Sequence, residues 1–134
     1  MSIVGLTLEH AGEQWDVATV RREGPEWRIA VTSTQDPRRR LIAYTEGPSA
    51  PQSGDVRHAL AESRFRTFPD NEGRVWRAEI SPRYEYGSVH GSWLVFSAED
   101  GPDRAKFAFE GSGGLGLLPE IKLLEFLLRA RKGH

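Results

Sequence analysis

Residues 26–34 read Glu-Trp-Arg-Ile-Ala-Val-Thr-Ser-Thr. Trp27, Ile29, Val31 and Ser33 alternate there with Arg28, Ala30 and Thr32. A period of two puts successive side chains on opposite faces of an extended chain, and β-branched and aromatic residues suit that geometry. The stretch predicts a strand. Upstream, Gly24-Pro25 marks a turn, and residues 14–22 carry Trp15, Val17 and Thr19 on one face of a second strand. Residues 10–13 turn again, and 3–9 form a short apolar-rich strand. Downstream, Asp36-Pro37 punctuates and 40–45 make a fourth strand. A Gly- and Pro-bearing connector, 47–51, leads to a helix over 55–66. Ser53 is its expected cap, and Val56, Ala59, Leu60 and Ser63 lie on its inner face.

The pattern then recurs. Aligned without gaps, 29–47 and 93–111 share Val31/Val95, Ser33/Ser97, Asp36/Asp100, Arg40/Arg104, Glu46/Glu110 and Gly47/Gly111. Gly12 and Trp15 match Gly73 and Trp76 upstream, and Arg64 matches Arg129 downstream. The second half gives strands at 66–68, 74–80, 92–98 and 104–110, then a helix beginning near Pro119, a residue suited to a first turn. The expected fold is α+β: an internally duplicated ββββα unit. It comprises two four-stranded antiparallel meanders, each followed by a helix, with residues 1–66 and 67–134 as pseudo-twofold copies of one domain. A unit of this size buries little surface alone, so the copies are expected to share a core.

Composition narrows the function classes. The chain has 134 residues, 38% hydrophobic and 28% charged, which suits a folded domain. Its formal net charge is −1, so no global basic field draws it to nucleic acid or membranes. There is no Cys, which excludes disulfides, thiolate nucleophiles and Cys-bearing zinc sites. The N-terminus has no basic region followed by a long apolar run, and the apolar stretch 115–128 is interrupted by Glu120, Lys122 and Glu125. A cytoplasmic protein without a membrane span is expected.

Gly111-Ser112-Gly113-Gly114-Leu115-Gly116 fits G-x-G-x-x-G, but no strand follows its helix and no acid stands where a ribose ligand would. It reads as a flexible connector. His10, His58, His90 and His134 show no metal-ligand spacing. Ser88 and His90 are neighbours in sequence, which is not triad geometry. No catalytic residue, metal or cofactor is expected, and enzymatic activity is not.

Two features point to binding. On a helical wheel the C-terminal helix is apolar over more than half its circumference. Ile121, Leu124 and Leu128 are expected on the sheet, leaving Leu123, Phe126 and Leu127 for a protein partner or a second copy. The other feature is aromatic and basic. Trp27 and Trp93 begin the third strand of each copy, with Arg28, Arg74, Arg77 and Lys106 nearby, and Arg38, Arg39 and Arg40 form a basic hairpin tip. Such residues stack bases and meet phosphates, although alternation leaves open which face is buried.

Four strands and a helix, used twice, resemble the layout of PUR-repeat and Whirly-type single-strand binders. That resemblance implies sheets presenting aromatic and basic side chains to unstacked bases. The leading expectation is a non-catalytic interaction or assembly module docking through its C-terminal helix. The alternative is a single-stranded nucleic-acid-binding protein using sheet aromatics and Arg.

Overall fold

The computed structural model describes residues 3–109 and 114–132. In chain order the elements are β1 (Thr7–His10), β2 (Glu13–Glu23), β3 (Glu26–Ser33), β4 (Arg40–Glu46), α1 (Ser53–Ala61), β5 (Phe65–Pro69), β6 (Val75–Glu85), β7 (Ser88–Ala98), β8 (Arg104–Phe109) and α2 (Glu120–Arg131). The fold is α+β, one antiparallel sheet with two helices. Four strands precede each helix. No helix among the described residues is long and apolar enough to cross a membrane.

The expected pair of meanders is in fact one. β4 pairs with β5 through Arg40↔Thr67, Leu41↔Arg66 and Ile42↔Phe65, and the sheet runs β1 to β8 in sequence order. The sequence reading extended α1 to residue 66 and so hid this junction. The helix ends at Ala61, where the Ser63 hydroxyl donates to the Leu60 carbonyl and the chain turns into β5. It also starts earlier than expected: Gln52, not Ser53, is the N-cap, and the Asp55 carboxylate accepts from its amide.

Because β4 and β5 are neighbours, the second set of four strands continues the first in the same order and on the same sheet face. A twofold through the junction would reverse that order. The expected pseudo-twofold is therefore absent there.

The register also corrects the sequence alignment. Trp15 lies opposite Ser33 and Trp76 opposite Ala98. If the tryptophans correspond, Ser33 corresponds to Ala98 and Val31 to Phe96, one residue past the matches to Ser97 and Val95. Val31 is buried, whereas Val95 lies on the opposite face, half-exposed. A one-residue slip turns every side chain to the other side of a sheet. The identities in the third strand are thus out of phase with the packing.

Both helices cover one face, with two cores rather than one shared core beneath them. Val56, Ala59 and Leu60 of α1 pack with Leu8, Trp15, Val17, Ile29, Val31 and Leu41. Leu123, Leu127 and Ala130 of α2 pack with Phe68, Trp76, Leu94, Phe96 and Leu115. Across the junction a latch joins them. Arg39 donates to both oxygens of Glu120 at 2.8 and 3.0 Å, and Arg66 donates to the carbonyls of Leu115 and Leu118.

The connector read as flexible is close-packed where it is described. Leu115 is fully buried, its amide donates to the Ser63 carbonyl, and His10 Nε2 lies 2.8 Å from the Gly116 carbonyl. A β-carbon on Gly114 would fall 2.3 Å from the Glu62 carbonyl carbon. These glycines let the connector approach the end of α1, and Gly111 to Gly113 lie outside the described residues.

The β6–β7 hairpin was read as a loop from residue 81 to 91. It is a ribbon that continues to a turn at Tyr86-Gly87, both with positive φ. Pro82 sits where pairing with β5 has already ended, beside a register shift between Pro82 and Tyr84. At such a place a missing amide donor costs no ladder bond.

Candidate functional site

With Leu41, Phe68, Trp76 and Phe96 committed to the helices, the alternate residues form a face that no element covers among the described residues. The register lays it out in rows. One row crosses from β3 to β8 as Thr32, Arg40, Thr67, Arg77, Ser97 and Arg104. The next reads Ala30, Ile42, Phe65, Glu79, Val95 and Lys106, and a third brings Arg28 opposite Tyr44 and Trp93 opposite Ala108. Neighbouring strands are about 4.8 Å apart, so arginines on every second strand recur at roughly 10 Å.

Three half-exposed rings on this face each stand under a cation. Arg64 Cζ is 4.7 Å from the Tyr44 ring centroid, and Arg77 Cζ is 4.2 Å from that of Phe65. Trp93 lies under Lys106 Nζ at 4.4 Å and Arg83 Cζ at 5.6 Å. A cation over a ring holds both in place, and Arg64 also donates to the Glu26 carboxylate at 3.0 Å. Arg28 and Arg104 have no carboxylate partner among the described residues.

A groove of about 240 Å³ opens in this face over the β4–β5 junction. Arg28, Arg40, Phe65, Thr67, Arg77 and Glu99 border it. Arg40 is bonded to Glu99 across it, and its Nε donates to Thr67 Oγ1 at 3.3 Å. Glu79 approaches Arg77 only to 3.9 Å.

Of the residues expected to bind nucleic acid, Arg28, Arg40, Arg77, Lys106 and Trp93 meet on the open face. The others are elsewhere. Arg38 closes on Asp36 in the β3–β4 turn, holding that carboxyl below its usual range by a side-chain hydrogen bond. Arg39 belongs to the latch, where the hydrogen bond to Glu120 raises its pKa. Arg74, in the β5–β6 turn, is bound to Asp100 and Asp103 of the β7–β8 turn. Trp27 shares the helix-side phase of Ile29, and its indole donates to the Gly47 carbonyl. Phe65, Tyr44 and Arg104 were missed, while the sequence reading sets Arg64 beside Arg57 and Arg66 as a phosphate contact on the first helix, which ends at Ala61. The signal for Tyr44 was the phase of Leu41 and Ala43, which assigns Ile42 and Tyr44 to the opposite side.

The helix residues expected to dock a partner face inward. Leu123 and Leu127 are buried, and Phe126 stacks on Phe107 at 4.9 Å and meets Phe109 edge-on at 6.1 Å. Of the residues expected on the sheet, Leu124 does pack against the second core, while Ile121 and Leu128 are 74% and 55% exposed. The helix is turned from the expected angle because β8 supplies Phe107 and Phe109 where Phe126 can stack. Ser88 is exposed, while the His90 side chain and His134 lie outside the described residues.

Among the described residues no group of three His, Asp or Glu side chains could hold a metal ion. No protein-family model, curated protein or solved structure matches this chain, and the resemblance to PUR-repeat and Whirly-type proteins stays one of element order.

Proposed function

We propose that this protein is a non-catalytic module that binds single-stranded nucleic acid across the helix-free face of its sheet. The observation that carries the reading is the set of rings, Tyr44, Phe65 and Trp93, each under a basic side chain on one uncovered surface. Every base has a π-face, so such platforms accept sequence broadly, at about 1–3 kcal/mol per stacked base. Duplex bases are already stacked on one another, which favours single strands. The row of Arg40, Arg77 and Arg104 supplies phosphate contacts. With a net charge of −1 the attraction is local, so affinity is modest and falls steeply with salt.

Titration of short oligonucleotides against tryptophan fluorescence tests this. Binding at low salt is expected, weakened about 5- to 150-fold by Trp93→Ala, the range that one stacked base represents. No binding of any single strand at low salt would overturn it.

We also infer that the two ββββα units descend from one. Trp15 and Trp76 are both buried, and Val56 and Leu60 of α1 play the parts of Leu123 and Leu127 in α2. An experimental structure in which the units superpose with Val31 on Phe96 supports this; non-equivalent surroundings for Trp15 and Trp76 would sink it.

A second reading is self-assembly through α2. It is favoured by the outward Ile121 and Leu128 with Leu117 of the preceding connector, all exposed apolar side chains.

A further inference from the structure

The groove over the β4–β5 junction gathers more positive than negative charge. Three guanidiniums, those of Arg28, Arg40 and Arg77, border it from β3, β4 and β6, while one bordering carboxylate, Glu99, faces them. Glu99 is spent on Arg40. Arg77 is held over Phe65 with Glu79, which does not border the groove, 3.9 Å away, and Arg28 has no carboxylate partner among the described residues. Like charges facing a shared concavity raise its potential and attract an anion. The Phe65 ring gives the same groove an apolar wall, so the fitting ligand joins an anionic group to a flat ring. At about 240 Å³ the groove lies just below the usual range for drug-sized ligands, enough for one phosphate and part of one ring.

We propose that this groove seats a single nucleotide unit. Its phosphate lies between Arg28, Arg40 and Arg77, and its base lies against Phe65. Glu99 is the internal anion that the phosphate displaces from Arg40. The inference rests on the proposed function for the identity of the chain that carries the nucleotide, but not for the phosphate. Its consequence is that removing a negative charge strengthens binding. A side chain that merely braces the sheet would not behave so.

The test measures dissociation constants at low salt for an oligothymidylate and for thymidine monophosphate, using the full chain and five variants. Glu99→Gln is expected to tighten both ligands about tenfold, and Arg77→Gln to weaken both by a similar factor. In the Glu99→Gln background Arg40→Gln is expected to abolish the gain, because the two side chains act on the same phosphate. Trp93→Ala should weaken the oligonucleotide alone. Glu99→Asp, which withdraws the carboxylate from Arg40 while keeping its charge, is measured beside Glu99→Gln and carries the test if that variant melts early. Oligonucleotide binding that depends on Trp93 but is unmoved or weakened by Glu99→Gln and Glu99→Asp would overturn the groove and leave the proposed function standing. Monophosphate binding with the expected Glu99 response, but no oligonucleotide binding, would keep the groove as a free-nucleotide site and overturn the proposed function. No binding of either ligand by any form would overturn both.

Discussion

A β-carbon on Gly116 would lie 1.6 Å from the carbonyl oxygen of Leu60, while one on Gly54, in the first turn of α1, would meet nothing within 4 Å. The two glycines are alike in sequence and opposite in consequence. Gly116→Ala is expected to cost at least about 3 kcal/mol, because the clash is with backbone and cannot rotate away. Gly54→Ala should instead add about 0.5–1 kcal/mol through helix propensity. Urea unfolding of both variants checks the pair, and equal effects would refute the packed connector. The density of glycines at 111–116 was plain in the sequence, but its reason was not, since Leu60 and Glu62 lie far back in the chain. Asp70 gives a second residue-scale prediction. Burial pushes its carboxyl up, yet the Trp76 indole at 2.9 Å and the amides of Arg74 and Glu72 outweigh that and hold it below its ordinary value. A lowered folded pKa means stability that is present above the unfolded value, about 3.9, and lost as pH falls through the folded one. Asp70→Asn should therefore cost about 1.5–3 kcal/mol at pH 7, with the gap to wild type closing in acid. Denaturation at pH 7 and near pH 3 measures it, and a gap that widens in acid would contradict the assignment.

At the scale of elements, strand positions were legible wherever alternation was uninterrupted, as in β3, β4 and β8. The β6–β7 ribbon was not, because Pro82 looks like a terminator until the neighbouring β5 is seen to reach no further than Phe65, opposite Glu79. The open face was half-legible. Alternation separated Arg28 from Ile29, and only the position of the helices decided which was outward. For α2 the wheel put Ile121, Leu124 and Leu128 on the sheet, and this failed for Ile121 and Leu128, since the aromatic residues that decide lie on β8. The outcome separates two substitutions on one helix. Phe126→Ala removes a ring stacked on Phe107 and should destabilise the protein by about 2–3 kcal/mol, toward the low end for a buried Phe because the ring is half-exposed. Ile121→Glu places a charge where the side chain already meets solvent, and stability should change by less than about 0.5 kcal/mol. If α2 joins two copies, light scattering will show Ile121→Glu converting a dimer to a monomer with its melting curve intact. A monomer before and after discards the assembly reading.

The whole molecule is two cores under one continuous sheet, and its order of elements was the part most readily read from the sequence. What could not be read was how the halves are joined, because the β4–β5 pairing comprises only three residues on each strand and the latch is made by side chains remote in sequence. A unit of some 65 residues is marginal alone, so the joint has to carry cooperativity. It does so from both sides of the chain. The connector into α2 lies on the end of α1, the Glu120 carboxylate at the start of α2 binds Arg39, and Arg66 of β5 donates to the connector's carbonyls. Burial holds the Arg66 guanidinium below its ordinary pKa, and because an arginine stays protonated in a protein it is a charge that must keep its partners. Hydrogen exchange can read the coupling, because amides in β2–β3 and in β6–β7 report on the two cores separately. In the wild type both sets should exchange with one common free energy, the signature of a single unfolding unit. Arg66→Ala leaves the carbonyls of Leu115 and Leu118 without this donor at a cost of about 1–3 kcal/mol. That cost falls on the connector, and hence on the second core more than the first. The β6–β7 amides should then lose protection while those of β2–β3 lose less. Equal loss in both would mean that the paired strands alone enforce cooperativity, and unequal protection already in the wild type would mean that the latch does not couple the cores.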